Sequence, residues 1–424
     1  NAQPFVDRRH VNYAFTFNFP IEIEIRYRAD REDVLAEKFA EQRFGIFIHW
    51  GLYANYAQGE WYLQHSRLNE AAYSRMMYGF YPSKFDAREW VKTFKKAGAK
   101  YVTITSRHHD GFSLWPTKVD DGYNIANTPF KRDILGEIAT ACQEEGLQLN
   151  FYYSLMDWHR KDYPAGYHAK QVEVPGRKGN YASYKKFMLG QIAELIENYK
   201  PGNIWFDGEW EHPKHKEGDV LKSTLDWDFD TIYDFIHSKK TLVANNNHQP
   251  IRAREDIQIF ERDLPGENTD GGYSKDQPVT LDRPVEQCDV IQENVWGYRI
   301  AERKFRSPED VVAMVVRAAA RNCNLLMNIG PDGSGQLPAR AVEGMAKVGE
   351  YVAPELDDIV ARTADVLEVL DAHDVPCIRV GLCASENLAS DKVWGGANHS
   401  AVGELAMGEI FYRNMCRLLD GAGD

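Results

Sequence analysis

From Phe44 to Ile329 the chain keeps returning to one pattern: a short apolar run, a polar cluster at its end, then a longer amphipathic stretch. FGIFIHW at Phe44–Trp50, YVTIT at Tyr101–Thr105, LQLNFYY at Leu147–Tyr153 and NIWFD at Asn203–Asp207 have the length and the β-branched and aromatic content of buried strands. Thr241–Asn245, Ile257–Glu261 and Asn324–Ile329 extend the series, with a weaker member at Cys288–Ile291. Helical periodicity fills the gaps at Phe85–Gly98, Ile134–Glu145, Tyr184–Asn198 (ended by Pro201-Gly202) and Pro308–Arg321. Strand, helix, strand at this rhythm implies parallel strands joined by helical crossovers. Eight such strands with polar C-terminal ends predict an α/β fold, a (β/α)8 TIM-like barrel. An open doubly wound sheet would place a glycine-rich nucleotide turn after the first strand, where this chain has His49-Trp50-Gly51.

The 424 residues exceed the roughly 250 of a plain barrel. The pattern assigns the barrel to 41–352. Residues 1–40, with the alternating IEIEIRYR, read as a strand and a short helix packed on it as an N-terminal extension. Residues 353–424 read as a short α/β C-terminal extension with a strand at Pro376–Val380 and a closing helix at Ala401–Leu419.

A net charge of −13 argues against nucleic acid and against anionic membrane surfaces as partners. No apolar stretch approaches the roughly 20 residues of a membrane span. The chain starts at Asn1 with no Met, which leaves room for a cleaved leader and favours a secreted or periplasmic location over a cytoplasmic one. Six cysteines (Cys142, Cys288, Cys323, Cys377, Cys383, Cys416) have neither CxxC nor zinc spacing and read as free thiols.

In a barrel the reactive groups stand at the C-terminal ends of the strands. Those positions hold His49 and Trp50, Arg107 to Asp110, Tyr152 to Trp158, Asp207 to Trp210, Asn245 to His248, and Glu261 to Asp263. Carboxylates from two separate strands are what glycoside hydrolysis needs, one to attack or activate water and one to protonate the departing oxygen. Asp207 is the stronger candidate, since a carboxylate after Trp205-Phe206 is costly to bury without a task. A helix cap or an ion pair is the alternative reading, and Glu209 is a lesser rival. For the acid/base the reading selects Glu261, with Glu286 and Glu267 as alternatives. His49, His108 and His109 suit hydrogen bonds to sugar hydroxyls better than a metal, because no HxH pair is present. Glu60-Trp61, in GEWY, offers a carboxylate for hydroxyls and an indole to pack on a sugar ring. GPDGSG at 330–335 lacks the Lys-Ser/Thr of a phosphate loop and reads as a turn.

Taken together, FGIFIHWGLY, GEWY, TSRHHDGFSLW, FYYSLMDWH, IWFDGEWE, ENVWGYR and LLMNIGPDGSG resemble, in order, the blocks of the α-L-fucosidases of glycoside hydrolase family 29. The resemblance spans about 40 to 352. It implies a (β/α)8-like barrel and a retaining exo-α-L-fucosidase that acts on fucosylated oligosaccharides or glycoconjugates through a covalent glycosyl-enzyme. It implies no cofactor and no metal, and it leaves oligomerisation open. By resemblance Asp207 is the nucleophile, and His49, Glu60, Trp61, His108, His109, Tyr152 and Trp205 line the fucose pocket. Glu261 is the acid/base, with Glu286 in reserve because relatives also carry a carboxylate before NVWGYR.

Two departures stand out. Relatives place a sugar-contacting arginine after strand five, where this chain reads Asn245-Asn246-Asn247-His248, leaving Arg252 or Arg254 as stand-ins. The family's usual C-terminal β-sandwich is missing from the pattern. The tail segment NHSAVGELAMGEIFYRNM instead resembles the end of an SGNH-type carbohydrate esterase, with His399 at the histidine position and Gly396 where an Asp belongs, so a remnant is expected. The competing readings are a bifunctional fucosidase–esterase, an inactive fucose-binding barrel, and a metal-assisted hydrolase built on the three histidines.

Overall fold

The computed structural model describes residues 31–66, 68–119, 122–166, 168–209, 226–246, 251–265, 283–319 and 321–352, with the side chains of 31–33 left out. Its centre is eight parallel strands: β1 (Phe44–Ile48), β2 (Tyr101–Arg107), β3 (Gln148–Ser154), β4 (Asn203–Asp207), β5 (Leu242–Asn246), β6 (Gln258–Glu261), β7 (Val285–Val290) and β8 (Cys323–Ile329). Their order is β5-β4-β3-β2-β1-β8-β7-β6. A parallel bridge between Ala244 and Ile257 brings the two end strands together. The fold is the (β/α)8 barrel that the alternation predicts.

Period-two alternation divides the strand residues between two apolar clusters. Ile46, Ile48, Val102, Ile104, Phe151, Ile204, Phe206, Val243, Leu325 and Met327 face outward and join the large cluster under the helices. Phe47, Tyr101, Tyr152, Trp205, Leu242, Ala244, Ile259, Cys288 and Leu326 face inward and fill the lumen. The barrel is therefore packed at its centre, and only its C-terminal end is left for chemistry. At the opposite end the helix α1 (Arg31–Ala40) sets Phe39 into the lumen cluster, its ring 5.2 Å from that of Tyr101. The Phe39 carbonyl accepts from Asn324 Nδ2 at 2.7 Å, which ties α1 to β8. Gly45 is small because the Tyr101 ring takes its side-chain space; a Cβ there would lie 2.4 Å from the ring.

The outer helices begin where capping residues occur. In α2 (Ala87–Lys96) Asp86 accepts from the Glu89 amide, and in α3 (Ile134–Glu145) Asp133 accepts from Gly136, while Gly146 closes α3 in the left-handed region. In α4 (Tyr181–Tyr199) Asn180 caps Ser183. The helices α5 (Phe229–Ser238) and α6 (Pro308–Ala319) complete the described set of crossovers. Among the described residues no helix is long and apolar enough to cross a membrane.

The seventh strand departs from its expected bounds, running Val285–Val290 in place of Cys288–Ile291. Its first half was obscured because Glu286 and Gln287 are polar, yet both are buried in the ladder, with Glu286 opposite Ile259 and Asn324. Cys142, Cys288 and Cys323 are buried free thiols. The IEIEIRYR segment, Trp210, Asn247, His248, Glu267, the other three cysteines and the tail with His399 lie outside the described residues.

Candidate active site

The C-terminal strand ends bring together most of the candidate residues. Asp207, the last residue of β4, is 9% exposed. Its Oδ2 accepts from the Tyr152 hydroxyl at 2.8 Å, and His109 Nε2 lies 3.6 Å from the same oxygen. Its Oδ1 accepts from Asn246 Nδ2 at 3.3 Å. The same amide nitrogen donates to Glu261 Oε2 at 2.6 Å. One nitrogen thus touches both carboxyls, so the facing oxygens lie no more than about 6 Å apart, a bound that admits the 5–5.5 Å separation of retaining glycosidases. Gly208 follows Asp207 at φ 89°, and a Cβ there would sit 2.9 Å from Met156 Cβ; the turn after the carboxylate needs glycine for both reasons.

The histidines are held as neutral bases. Ser154 Oγ donates to the Met156 carbonyl at 2.6 Å, so His109 Nδ1 is the donor in its 2.7 Å bond to Ser154 Oγ, and the neutral ring carries no hydrogen on Nε2. Asn328 donates to the Trp296 carbonyl at 2.7 Å and accepts from His49 Nδ1 at 2.7 Å, which fixes the same tautomer for His49. Burial pushes His49 down to about 3. Burial, together with neighbouring histidines, holds His108 and His109 well below the usual histidine range. The ring of His108 stacks on Tyr152 at 5.3 Å and an interplanar angle of 9°.

Trp61 stands half-buried at the side of this cluster, edge-on to His109 and Trp158 at 5.3 and 5.1 Å. Glu60 is buried, and its Oε2 accepts from the Gly297 amide at 2.7 Å; burial raises its carboxyl above the usual range against the pull of that bond. Trp205 lies below, stacked on Tyr152 at 5.6 Å, and donates from Nε1 to Glu286 Oε1 at 2.9 Å. The other oxygen of Glu286 accepts from Tyr101 at 2.7 Å. Glu286 therefore belongs to the lumen, beneath the ring of strand ends.

A buried ion pair supports the two-histidine turn. Arg107 donates from Nη2 to Asp157 Oδ2 and from Nε to the Gly111 carbonyl at 3.2 Å. Asp110 accepts from the Tyr73 hydroxyl at 2.8 Å and from the Phe112 amide at 3.3 Å. Gly111 has φ 80°, and a Cβ would meet His159 at 2.8 Å. These constraints account for the compactness of RHHDGF: each residue around the histidines locks the turn.

Glu209, Arg252 and Arg254 hold partners of their own. Glu209 accepts from Arg252 through both guanidinium nitrogens and from Asn245 Nδ2 at 3.1 Å, and Arg252 also reaches Glu255 at 3.1 Å. Arg252 is thus engaged in bracing the loop after β4. Arg254 pairs with Asp230 and Asp234 on α5. Both arginines are thus held in ion pairs. The sequence assigns no role to Asn246, Ser154, Asn328 or Trp296. Their signal is positional, since each lies at or next to a strand end or in the ENVWGYR block.

Ligand atoms of His108, His109 and Asp207 lie within 4.8 Å of one another, a spacing that a metal ion could use. The Tyr152 hydroxyl competes for Oδ2 of that aspartate.

A family model described as Alpha-L-fucosidase matches residues 22–355. Human tissue alpha-L-fucosidase is 30% identical over 341 residues, covering 74% of this chain and 67% of its own length. The chain spans about two thirds of the length of the curated mammalian relatives it matches. The structure of alpha-L-fucosidase isoenzyme 1 from Paenibacillus thiaminolyticus superposes with TM-score 0.65 at 30% identity, over 78% of this chain and 77% of that one. A Bacteroides thetaiotaomicron GH29 alpha-L-fucosidase, trapped as a covalent intermediate in complex with 2-fluoro-fucosyl fluoride, superposes with TM-score 0.60 at 28% identity, over 77% and 75%. With the barrel, the strand-end carboxylates and these likenesses in hand, the chain belongs to the α-L-fucosidase family of glycoside hydrolases, family 29.

Proposed function

We propose that this chain removes terminal α-L-fucose from glycans by double displacement, with Asp207 as nucleophile and Glu261 as acid/base. The observation that supports the assignment is the shared Asn246 amide, which keeps the facing oxygens of the two carboxyls within about 6 Å, compatible with a retaining pair. Tyr152 holds Oδ2 of Asp207, so the attack is assigned to Oδ1, the oxygen with the longer hydrogen bond. Oδ1 bonds to the anomeric carbon as the glycosidic bond breaks, and the proton of Glu261 passes to the leaving oxygen. Water then attacks the anomeric carbon, gives its proton to Glu261, and frees Asp207. His49 and His109 offer neutral imidazoles to the sugar hydroxyls, His108 and Glu60 complete the polar side, and Trp61 supplies an apolar wall for the C6 methyl. Trp205 and Tyr152 form the floor. The exo mode is the one that the family resemblance implies.

Azide trapping tests both roles with p-nitrophenyl α-L-fucoside. Asp207→Gly should lose nearly all turnover and, with azide, yield the β-fucosyl azide by direct displacement. Glu261→Ala should form the glycosyl-enzyme and yield the α-azide. An Asp207→Gly variant that keeps wild-type turnover, or gives the α-azide, refutes the nucleophile assignment.

A further inference from the structure

Asn246 ends β5, across the ladder from Asp207, and is 4% exposed. Its carboxamide has an unusual balance. The nitrogen donates to both carboxyls, while Oδ1 is buried with no hydrogen-bond partner among the described residues. An orphaned buried acceptor is a stability cost, and rotating the amide would bring Oδ1 against the Asp207 carboxylate. The arrangement serves the carboxyls at the expense of the amide's own satisfaction.

Resting on the assignment of Asp207 and Glu261 above, we propose that Asn246 is a positioning residue that holds the single negative charge of the pair as it crosses from one carboxyl to the other. Before the first step Asp207 is the anion and Glu261 carries the proton. Once the glycosyl ester has formed and the leaving group has taken that proton, Asp207 is neutral and Glu261 is the anion. Total charge on the pair is unchanged; only its location moves. An NH2 group has two hydrogens in a fixed plane, so it serves either anion with a shift of a few tenths of an ångström. Because Glu261 Oε2 accepts from Asn246, the transferable proton belongs on Oε1. The amide therefore also selects which oxygen faces the leaving group.

The named groups that face the pair carry no positive charge. His49 comes from the end of β1, His108 and His109 from the turn after β2, Tyr152 from β3 and Cys288 from β7; the histidines are kept neutral by burial. The donors named on the two carboxyls are the neutral Tyr152 and Asn246. Donors to a carboxylate favour its ionised form, so removing one raises both carboxyl pKa values. The acidic limb of the kcat/KM profile reports ionisation of the nucleophile, and the basic limb reports loss of the acid's proton. Both limbs should move to higher pH together.

The test is the pH dependence of kcat and kcat/KM for p-nitrophenyl α-L-fucoside in wild type, Asn246→Ala, Asn246→Asp and Asn246→Gln, with Glu261→Ala run alongside. Asn246→Ala should lower kcat/KM by about 10- to 100-fold, as expected for a hydrogen bond to a charged group. Its two limbs should shift upward by about half a unit to one unit. Asn246→Asp, which adds a third carboxyl, should shift them further, and Asn246→Gln should bring them back toward wild type. Limbs that stay in place in Asn246→Ala overturn the proposal; if that variant does not fold, unmoved limbs in Asn246→Asp do the same. Glu261→Ala separates the two failures. If it yields the α-azide while the Asn246 profiles are flat, only the role of Asn246 falls. If it hydrolyses like wild type, the acid/base lies elsewhere and the proposal falls with it.

Discussion

Replacing Glu286 by glutamine removes a titrating group from the barrel lumen and keeps its shape. Burial pushes this carboxyl from 4.5 up to about 7, against the opposing pull of the Tyr101 and Trp205 donors. A folded-state pKa above the unfolded value means that the group's stabilising contribution is full below pH 4.5 and is lost as pH rises through 7. At 1.36 kcal/mol per unit the loss comes to about 3 kcal/mol. Glutamine carries no such dependence. Its oxygen can accept from Trp205 Nε1, and its amide can donate to a rotated Tyr101 hydroxyl, so the lumen stays satisfied. The unfolding free energy of wild type minus that of Glu286→Gln should therefore fall by about 3 kcal/mol from pH 4.5 to 7 and flatten above it. Guanidinium unfolding followed by tryptophan fluorescence across this range measures it. Titrations shared by both proteins, such as those of the buried histidines, cancel in the difference. A flat difference would refute the linkage argument. The same variant checks the acid/base assignment: fucoside hydrolysis should persist, whereas a loss of about 10²- to 10⁴-fold with α-azide formation would move the proton-donor role to Glu286.

Tyr152→Phe removes one donor from Asp207, so kcat/KM should drop about 10- to 100-fold and its acidic limb should move to higher pH; an unmoved limb in a profile taken from pH 4 to 8 would contradict the hydrogen-bond assignment. Prolonged dialysis against a chelator should leave turnover unchanged. Activity that falls and is restored by a divalent cation would instead give the His108, His109 and Asp207 cluster a metal-binding role. Gly45→Ala forces a methyl into the Tyr101 ring and should destabilise the barrel by about 1–3 kcal/mol, seen as a lower denaturation midpoint.

The barrel was legible because parallel strands buried on both sides read as short apolar runs whichever face is considered. β4 matches its expected bounds at both ends, since Asn203–Asp207 contains no polar residue except at its termini. β7 was misread for the opposite reason: Glu286 faces the lumen, where Tyr101 and Trp205 satisfy it, and neither partner is near it in the chain. The same limit applies to the site. Asp207, His49 and the His108-His109 pair could be found because each stands at or just past the end of its own strand. Asn246 gains its meaning only when β4, β5 and β6 are placed side by side, and β5 meets β6 through a single bridge that no periodicity announces. Arg252 likewise finds partners in Glu209 and Glu255 that its place in the chain does not announce as a cluster.

Cleavage of a glycosidic bond builds positive charge at the anomeric centre in the transition state, so a cation beside that centre would oppose the reaction. This chain places three histidines at the strand ends, and burial answers the problem before it arises: His49, His108 and His109 are all held neutral around physiological pH. Their tautomers, set by Asn328 for His49 and by Ser154 for His109, leave acceptors facing the site. The negative charge shared by Asp207 and Glu261 stands beside the anomeric carbon, and its named donors are neutral. A cationic donor in the place of Asn246 would hold the carboxylates more tightly and weaken their pull on the oxocarbenium-like sugar. A neutral amide orients them without cancelling the field that the reaction needs.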